Sequence, residues 1–216
     1  MFDQNSRADY AHQPPPPQPA ARARPTPVVT YTLIALNALV FVAMVLSGIS
    51  LTNPTAEQVF AWGANYGPAT MHGQWWRLLT ACFLHFGIIH IALNMYVFYQ
   101  VGPFTELLYG RAKYLALYIL AGLGGSLLSL IIHPDIVSAG ASGAIFGVYG
   151  GLLAFVAVRR SVFSKQGAQQ LVKSSLIFIG INLVYGFSNP EIDLSGHIGG
   201  IITGFLVGCI LARNPS

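Results

Sequence analysis

Beyond the first 26 residues, long charge-free stretches alternate with short polar segments. The charge-free runs cover residues 25–56, 78–105, 114–134, 136 up to Arg159, 174–190 and 194–212. Each approaches the roughly 20 apolar residues that a helix needs to cross a bilayer. A backbone inside lipid must pair with itself, which favours helices. The pattern therefore predicts an all-α membrane protein with a bundle of six transmembrane helices. The fifth run is short between its flanking charges. It extends back toward Leu171 if Lys173 snorkels its ammonium to the surface.

Composition sharpens this reading. Hydrophobic residues make up 54% of the 216-residue chain and charged residues only 8%, against about 25% charged in a soluble domain. The net charge of +4 is distributed for a membrane rather than for nucleic acid. With the N-terminus inside, Arg7, Arg22, Arg24, Arg111, Lys113, Arg159, Arg160, Lys165, Lys173 and Arg213 all fall on one side, and only Arg77 falls outside. That asymmetry predicts both termini in the cytoplasm of a multi-pass protein of the cell's inner (plasma) membrane. The outer loops carry Glu57, Asp135, Glu191 and Asp193.

Residues 1–26, with QPPPPQP at 13–19, read as a disordered, proline-rich cytoplasmic tail. The tail has no early apolar core of a cleavable signal peptide, so the first span is expected to remain as an anchor. Residues 27–213 form the membrane domain. Cys82 and Cys209 lie inside apolar runs and read as small buried hydrophobes. No cysteine cluster of metal-binding type occurs, and neither metal nor cofactor is expected. The outer loop 51–77 carries Trp62, Trp75 and Trp76, which suit a membrane interface.

The unusual polar residues share one depth. Spans two, four and six all run from outside to inside, and their outer ends carry His85, His90 and Asn94, then Ser142, then His197. Polar groups at membrane depth usually line a cavity or a functional site. Span four also has Gly143, Gly147 and Gly151, and span six has Gly196, Gly200, Gly204 and Gly208. Glycines four apart share a helix face and permit close backbone approach in lipid. If the two strips pack, Ser142 meets His197 at the outer end. The plainer alternative is that Ser142 and these glycines serve packing alone.

In order and spacing these motifs resemble the rhomboid intramembrane serine proteases. They are Trp76–Arg77, the H-x4-H-x3-N pattern of His85, His90 and Asn94, G-x-S-G at Gly140 to Gly143, and G-H-x-x-G at Gly196 to Gly200. The resemblance covers all six spans and implies a six-helix rhomboid-like bundle. It implies Ser142 as nucleophile and His197 as general base, with His90 and Asn94 as donors on the oxyanion side. His85, Gly140, Gly200 and Phe146 are implied to be structural residues near the site, and Glu106 a structural carboxylate. Phe146 stands where the family often has tyrosine, and Gly196 where it often has alanine.

The chemistry fits those residue types. A serine hydroxyl needs a base to take its proton, and histidine serves near neutral pH. No acidic residue lies at the right depth to orient His197, so the expected unit is a Ser–His dyad oriented by ring packing. A helix starting near Ser142 leaves its first N–H groups unpaired and favours negative charge. His90 and Asn94, at i and i+4, share a face from which to add donors. A helix over residues 142–158 spans about 26 Å, short of the ~30 Å hydrocarbon layer. Its start would lie below the outer surface, in a cavity covered by residues 188–195.

The expected activity is cleavage of transmembrane helices near the outer face, with transmembrane proteins and the bilayer as partners. Two other functions fit the composition. One is a catalytically silent rhomboid-like binder of membrane clients. The other is a transporter or metal-binding protein using His85, His90, Asn94 and His197. On one continuous helix His85 and His90 would point about 140° apart, which opposes a shared metal.

Overall fold

The computed structural model describes residues 26–189 and 192–213; most of the proline-rich tail and Glu191 lie outside them. Among the described residues the long helices are α1 (Val28–Leu46), α5 (Ile88–Tyr109), α6 (Arg111–Ile132), α7 (Ser142–Val158), α8 (Lys165–Phe187) and α9 (Leu194–Arg213). The loop between α1 and α5 holds the short helices α2 (Ala56–Ala61), α3 (Gly67–Met71) and α4 (Arg77–Thr80).

On length and apolarity, α1, α6, α8 and α9 can each cross a membrane. A fifth span exists if the segment Arg77–Phe83 and α5 are counted as one path bent by 90°. With 17 residues, α7 falls short of that length. Among the described residues, length and apolarity thus identify four or five spans and do not confirm the expected six.

The second charge-free run also differs from one continuous helix. It is broken before Ile88, where Gly87 takes φ +95°. A Cβ on Gly87 would sit 2.5 Å from Thr52 O, so glycine is what lets the loop 51–77 pass here. His85 therefore precedes α5, and the helical-phase argument separating it from His90 does not apply.

Local signals explain several helix ends. Thr55 and Gln58 form a reciprocal capping box on α2, and Ser164 caps α8 by accepting from Gly167 N–H at 3.0 Å. α1 has no cap of its own. Glu106 of α5 supplies one from across the bundle, accepting from Val29 N–H (3.0 Å), Thr30 N–H (2.8 Å) and the Thr30 hydroxyl (2.7 Å). A buried carboxylate at a helix N-terminus is favoured by the exposed N–H groups and the dipole.

The centre of the bundle is α7 flanked by α9 and α6. Gly200 faces Gly143 O and Gly204 faces Gly147 O so closely that a Cβ at either position would overlap backbone. From α6, Gly125 approaches Gly196 O, and Gly124 approaches Thr203. Lipid gives helices no hydrophobic reason to associate, so contact of this kind must supply the packing energy.

Candidate active site

The glycine strips end, on the loop side, at the groups singled out from the sequence. Ser142 is the first residue of α7 and His197 lies in the first turn of α9. Ser142 Oγ and His197 Nε2 are 2.9 Å apart. Both side chains are only partly buried, so a reactant can reach them. His197 Nδ1 is buried and has no partner among the described residues. The imidazole is held by stacking instead: Phe146 lies 4.3 Å from it between centroids, at 17° between planes. Phe178 of α8 packs behind Phe146 at 5.7 Å.

Opposite this pair stands His90. Its Nδ1 accepts from Phe86 N–H at 3.3 Å. In a neutral ring the hydrogen is then on Nε2. That nitrogen lies beside Gly140 and close to Ser142: a Cβ on Gly140 would be 3.1 Å from His90 Nε2 and 3.5 Å from Ser142 Oγ. Gly140 also takes φ +144°. Both the backbone angle and the imidazole in its side-chain space call for glycine. His85 is fully buried and packs edge-on against His90, centroids 5.1 Å apart.

Asn94 lies one turn further along α5. Its Nδ2 donates to His90 O at 3.0 Å, leaving a single amide N–H free. Gly200 lies one turn below His197, against Gly143. The first intrahelical bond of α7 runs from Ile145 N–H to Ala141 O at 3.0 Å. The N–H groups of Ser142, Gly143 and Ala144 thus precede the ladder at the positive end of the helix dipole.

The surrounding loops hold this corner rigidly. Asn65 and Ser138 exchange two backbone bonds of 2.9 Å, and Gly140 N–H donates to Ala81 O at 2.9 Å. The Arg77 guanidinium is buried among Phe60 O (2.7 Å), Ala64 O (3.0 Å) and Gln74 Oε1 (2.6 Å), over the Phe60 ring. Sequence reasoning missed three parts of this frame: Asn65, Ser138 and the carboxylate of Asp193. The last had a legible signal. An aspartate directly before an apolar run, three residues ahead of a backbone N–H, is an N-cap pattern.

Similarity to known proteins agrees with the motifs. Residues 72–214 match the family model of the Rhomboid domain. The chain is 41% identical over 185 residues to Rhomboid protease GluP of Bacillus subtilis (strain 168), covering 86% of this chain and 35% of that protein. It is 33% identical over 166 residues to RHOMBOID-like protein 7 of Arabidopsis thaliana, covering 76% and 52% respectively. It is 31% identical over 156 residues to Rhomboid-like protease 3 of Toxoplasma gondii, covering 72% and 59%. The chain thus spans less than two thirds of the length of each of these relatives. With the domain match extending from the Trp-rich loop through α9, the chain belongs to the rhomboid family.

Proposed function

We propose that this chain is an intramembrane serine endopeptidase that cleaves transmembrane helices near the outer membrane face through a Ser142–His197 dyad. One observation carries the reading: the 2.9 Å contact between Ser142 Oγ and His197 Nε2. Similarity to proteases of the family, among them Rhomboid protease GluP, supports the same class of activity.

In the proposed reaction, Ser142 Oγ attacks the scissile carbonyl carbon while His197 Nε2 takes the hydroxyl proton. The carbonyl oxygen becomes an oxyanion and needs fixed donors in a site of low dielectric constant. The Ser142 N–H, His90 Nε2–H and the free N–H of Asn94 are suited to that role. The imidazolium then returns its proton to the leaving amine nitrogen as the C–N bond breaks. An acyl-Ser142 ester and a new N-terminus result. Water loses a proton to Nε2, attacks the ester, and the proton passes back to Oγ as the acid leaves. Phe146 keeps the ring in plane for both transfers.

Six spans remain the best reading of the bundle. α7, about 26 Å long at 1.5 Å per residue, is sheathed by α5, α6, α8 and α9 and does not need to meet the full lipid thickness. With both termini cytoplasmic, the site faces outward in the plasma membrane. A helical substrate hides its carbonyls in backbone hydrogen bonds, so segments that unwind easily are the expected substrates. A silent client-binding role is disfavoured because serine and histidine are both present and in contact.

The test is cleavage of a model transmembrane substrate in proteoliposomes. Ser142→Ala should abolish it while the protein stays folded. Cleavage by Ser142→Ala at the wild-type rate would overturn the dyad.

A further inference from the structure

Asp193 directly precedes α9, and its carboxylate gathers three hydrogen-bond partners. Oδ1 accepts from Gly196 N–H at 3.0 Å and from the Ser195 hydroxyl at 2.6 Å. Oδ2 accepts from the Ser138 hydroxyl at 2.5 Å, and the Ser129 hydroxyl of α6 favours the charged form of the carboxylate. Burial alone would raise the pKa of this carboxyl. The hydroxyls of Ser129, Ser138 and Ser195 and the Gly196 N–H outweigh it and hold the group below its ordinary value.

The placement is symmetrical about the reactive pair. Asp193 lies four residues before His197, and Ser138 lies four residues before Ser142. Their contact joins the two segments that deliver the dyad. Ser138 is itself fixed to Asn65 through two backbone bonds, and Asn65 Nδ2 donates to Ser126 O of α6 at 2.9 Å. On the other side, Asp193 supplies the N-cap of α9, the turn whose N–H groups have no intrahelical partner. A Cβ on Gly196 would be 3.0 Å from Asp193 Oδ2, so a bare residue 196 leaves room for the carboxylate. The glycine strips set the spacing of the helix axes and reach as far as Gly196, whose carbonyl faces Gly125 and Gly143, but they do not hold the chain that enters α9. The cap fixes the turn that carries His197, whose Nδ1 has no hydrogen-bond partner among the described residues and whose ring is held by the Phe146 stack.

We propose that Asp193 is a positioning residue that pins the first turn of α9 to the segment leading into α7 and so keeps Ser142 and His197 within proton-transfer distance. The proposal rests on the proteolytic reading above. It predicts an effect on the chemical step, since neither Asp193 nor Ser138 is assigned to substrate binding. Small misplacements of reacting groups cost up to about 100-fold in rate.

The experiment compares the full chain with Asp193→Ala, Asp193→Asn, Ser138→Ala and the double variant Ser138→Ala/Asp193→Ala in proteoliposomes. It reads kcat and KM on one transmembrane substrate, normalised to folded protein. Asp193→Ala should lower kcat about 10- to 100-fold at unchanged KM. Asp193→Asn keeps an acceptor for Gly196 N–H and should recover part of the loss. Ser138→Ala should lower kcat less, and the double variant should be no slower than Asp193→Ala alone. Wild-type kcat in Asp193→Ala, or a loss confined to KM, would overturn the proposal. If Asp193→Ala does not fold, Ser138→Ala decides, and wild-type kcat there overturns it. Ser142→Ala runs alongside: if it is inactive while Asp193→Ala is unimpaired, only the positioning role fails. If Ser142→Ala cleaves normally, the proteolytic reading itself fails.

Discussion

α7 and α8 are both apolar helices, joined by a short connection, yet the bundle uses them in opposite ways. Eleven of the 17 residues of α7 are buried, against four of the 23 in α8, so the first is a core rod and the second a peripheral one. α7 is the more apolar of the two, with no charged residue where α8 carries Lys165 and Lys173, but apolarity alone gives a helix in lipid no reason to be buried. The difference is the surface texture of the partners: α7 meets the glycine faces of α6 and α9, whereas α8 presents Ile177, Ile181, Val184 and Tyr185 outward. In lipid, burying another leucine gains little over leaving it in the acyl chains, whereas close backbone contact gains dispersion and weak polar contacts. Ser142 and His197 sit on the two rods locked this way. α8 reaches this corner through Phe178, which packs behind Phe146.

The sharpest way to break this comparison is to put a methyl group into the strip. A Cβ on Gly200 would overlap Gly143 O and lie 2.8 Å from Gly143 C and 3.1 Å from its Cα. Those atoms belong to the backbone of α7, so no rotamer change relieves them and the helices must separate. Ordinary overpacking costs about 1–3 kcal/mol. Gly200→Ala should exceed that range and remove both stability and activity, as read by thermal unfolding in detergent and by substrate cleavage. A variant as stable as the wild type would show that the strips do not carry the packing.

Much of this was legible because glycine and histidine are rare signals in an apolar background. The four-residue spacing of Gly196, Gly200, Gly204 and Gly208 gave the packed face, and the start of α7 at Ser142 agreed with the expected residues 142–158. The break before Ile88 was not legible: it depends on Gly87 meeting Thr52 O, a contact about 35 residues away in sequence. The sixth span is unconfirmed for a related reason. Charge-free length measures what can enter lipid, and it does not measure where a helix starts, so the run from residue 136 yields a helix of only 17 residues. The glycines of α6 were missed because Gly122, Gly124 and Gly125 have no four-residue period. The N-cap role of Asp193 is legible from its place before an apolar run, but its contact with Ser138, 55 residues away in sequence, is a tertiary fact.

At the inner end of the strips a single hydroxyl closes the contact. Tyr109 of α5 donates to Gly151 O at 2.7 Å and lies 3.1 Å from Gly208 O. It has one proton, so the two contacts share one bond. Both carbonyls also belong to helical ladders and keep an acceptor role without it. Tyr109→Phe should therefore cost only about 0.5–1.5 kcal/mol. Cleavage per folded molecule should stay at the wild-type level, because the site lies at the other end of the strips. A loss of activity without loss of stability would mean that the inner end controls the outer one.

The smallest effect should come from the same chemical change made in the other helix. Gly180 lies in the interior of α8, and a Cβ there would meet nothing within 4 Å. With no neighbour to displace, the remaining term is backbone entropy, which favours alanine over glycine in a helix by about 0.5–1 kcal/mol. Gly180→Ala should leave the unfolding midpoint equal or slightly higher and cleavage unchanged, opposite in sign to Gly200→Ala. Gly180 also lines a shallow groove with Ile181, Val184, Tyr185 and Ser188. If Gly180→Ala raises stability yet slows cleavage, the outer face of α8 meets the substrate, and the division between a working core and an idle periphery is wrong.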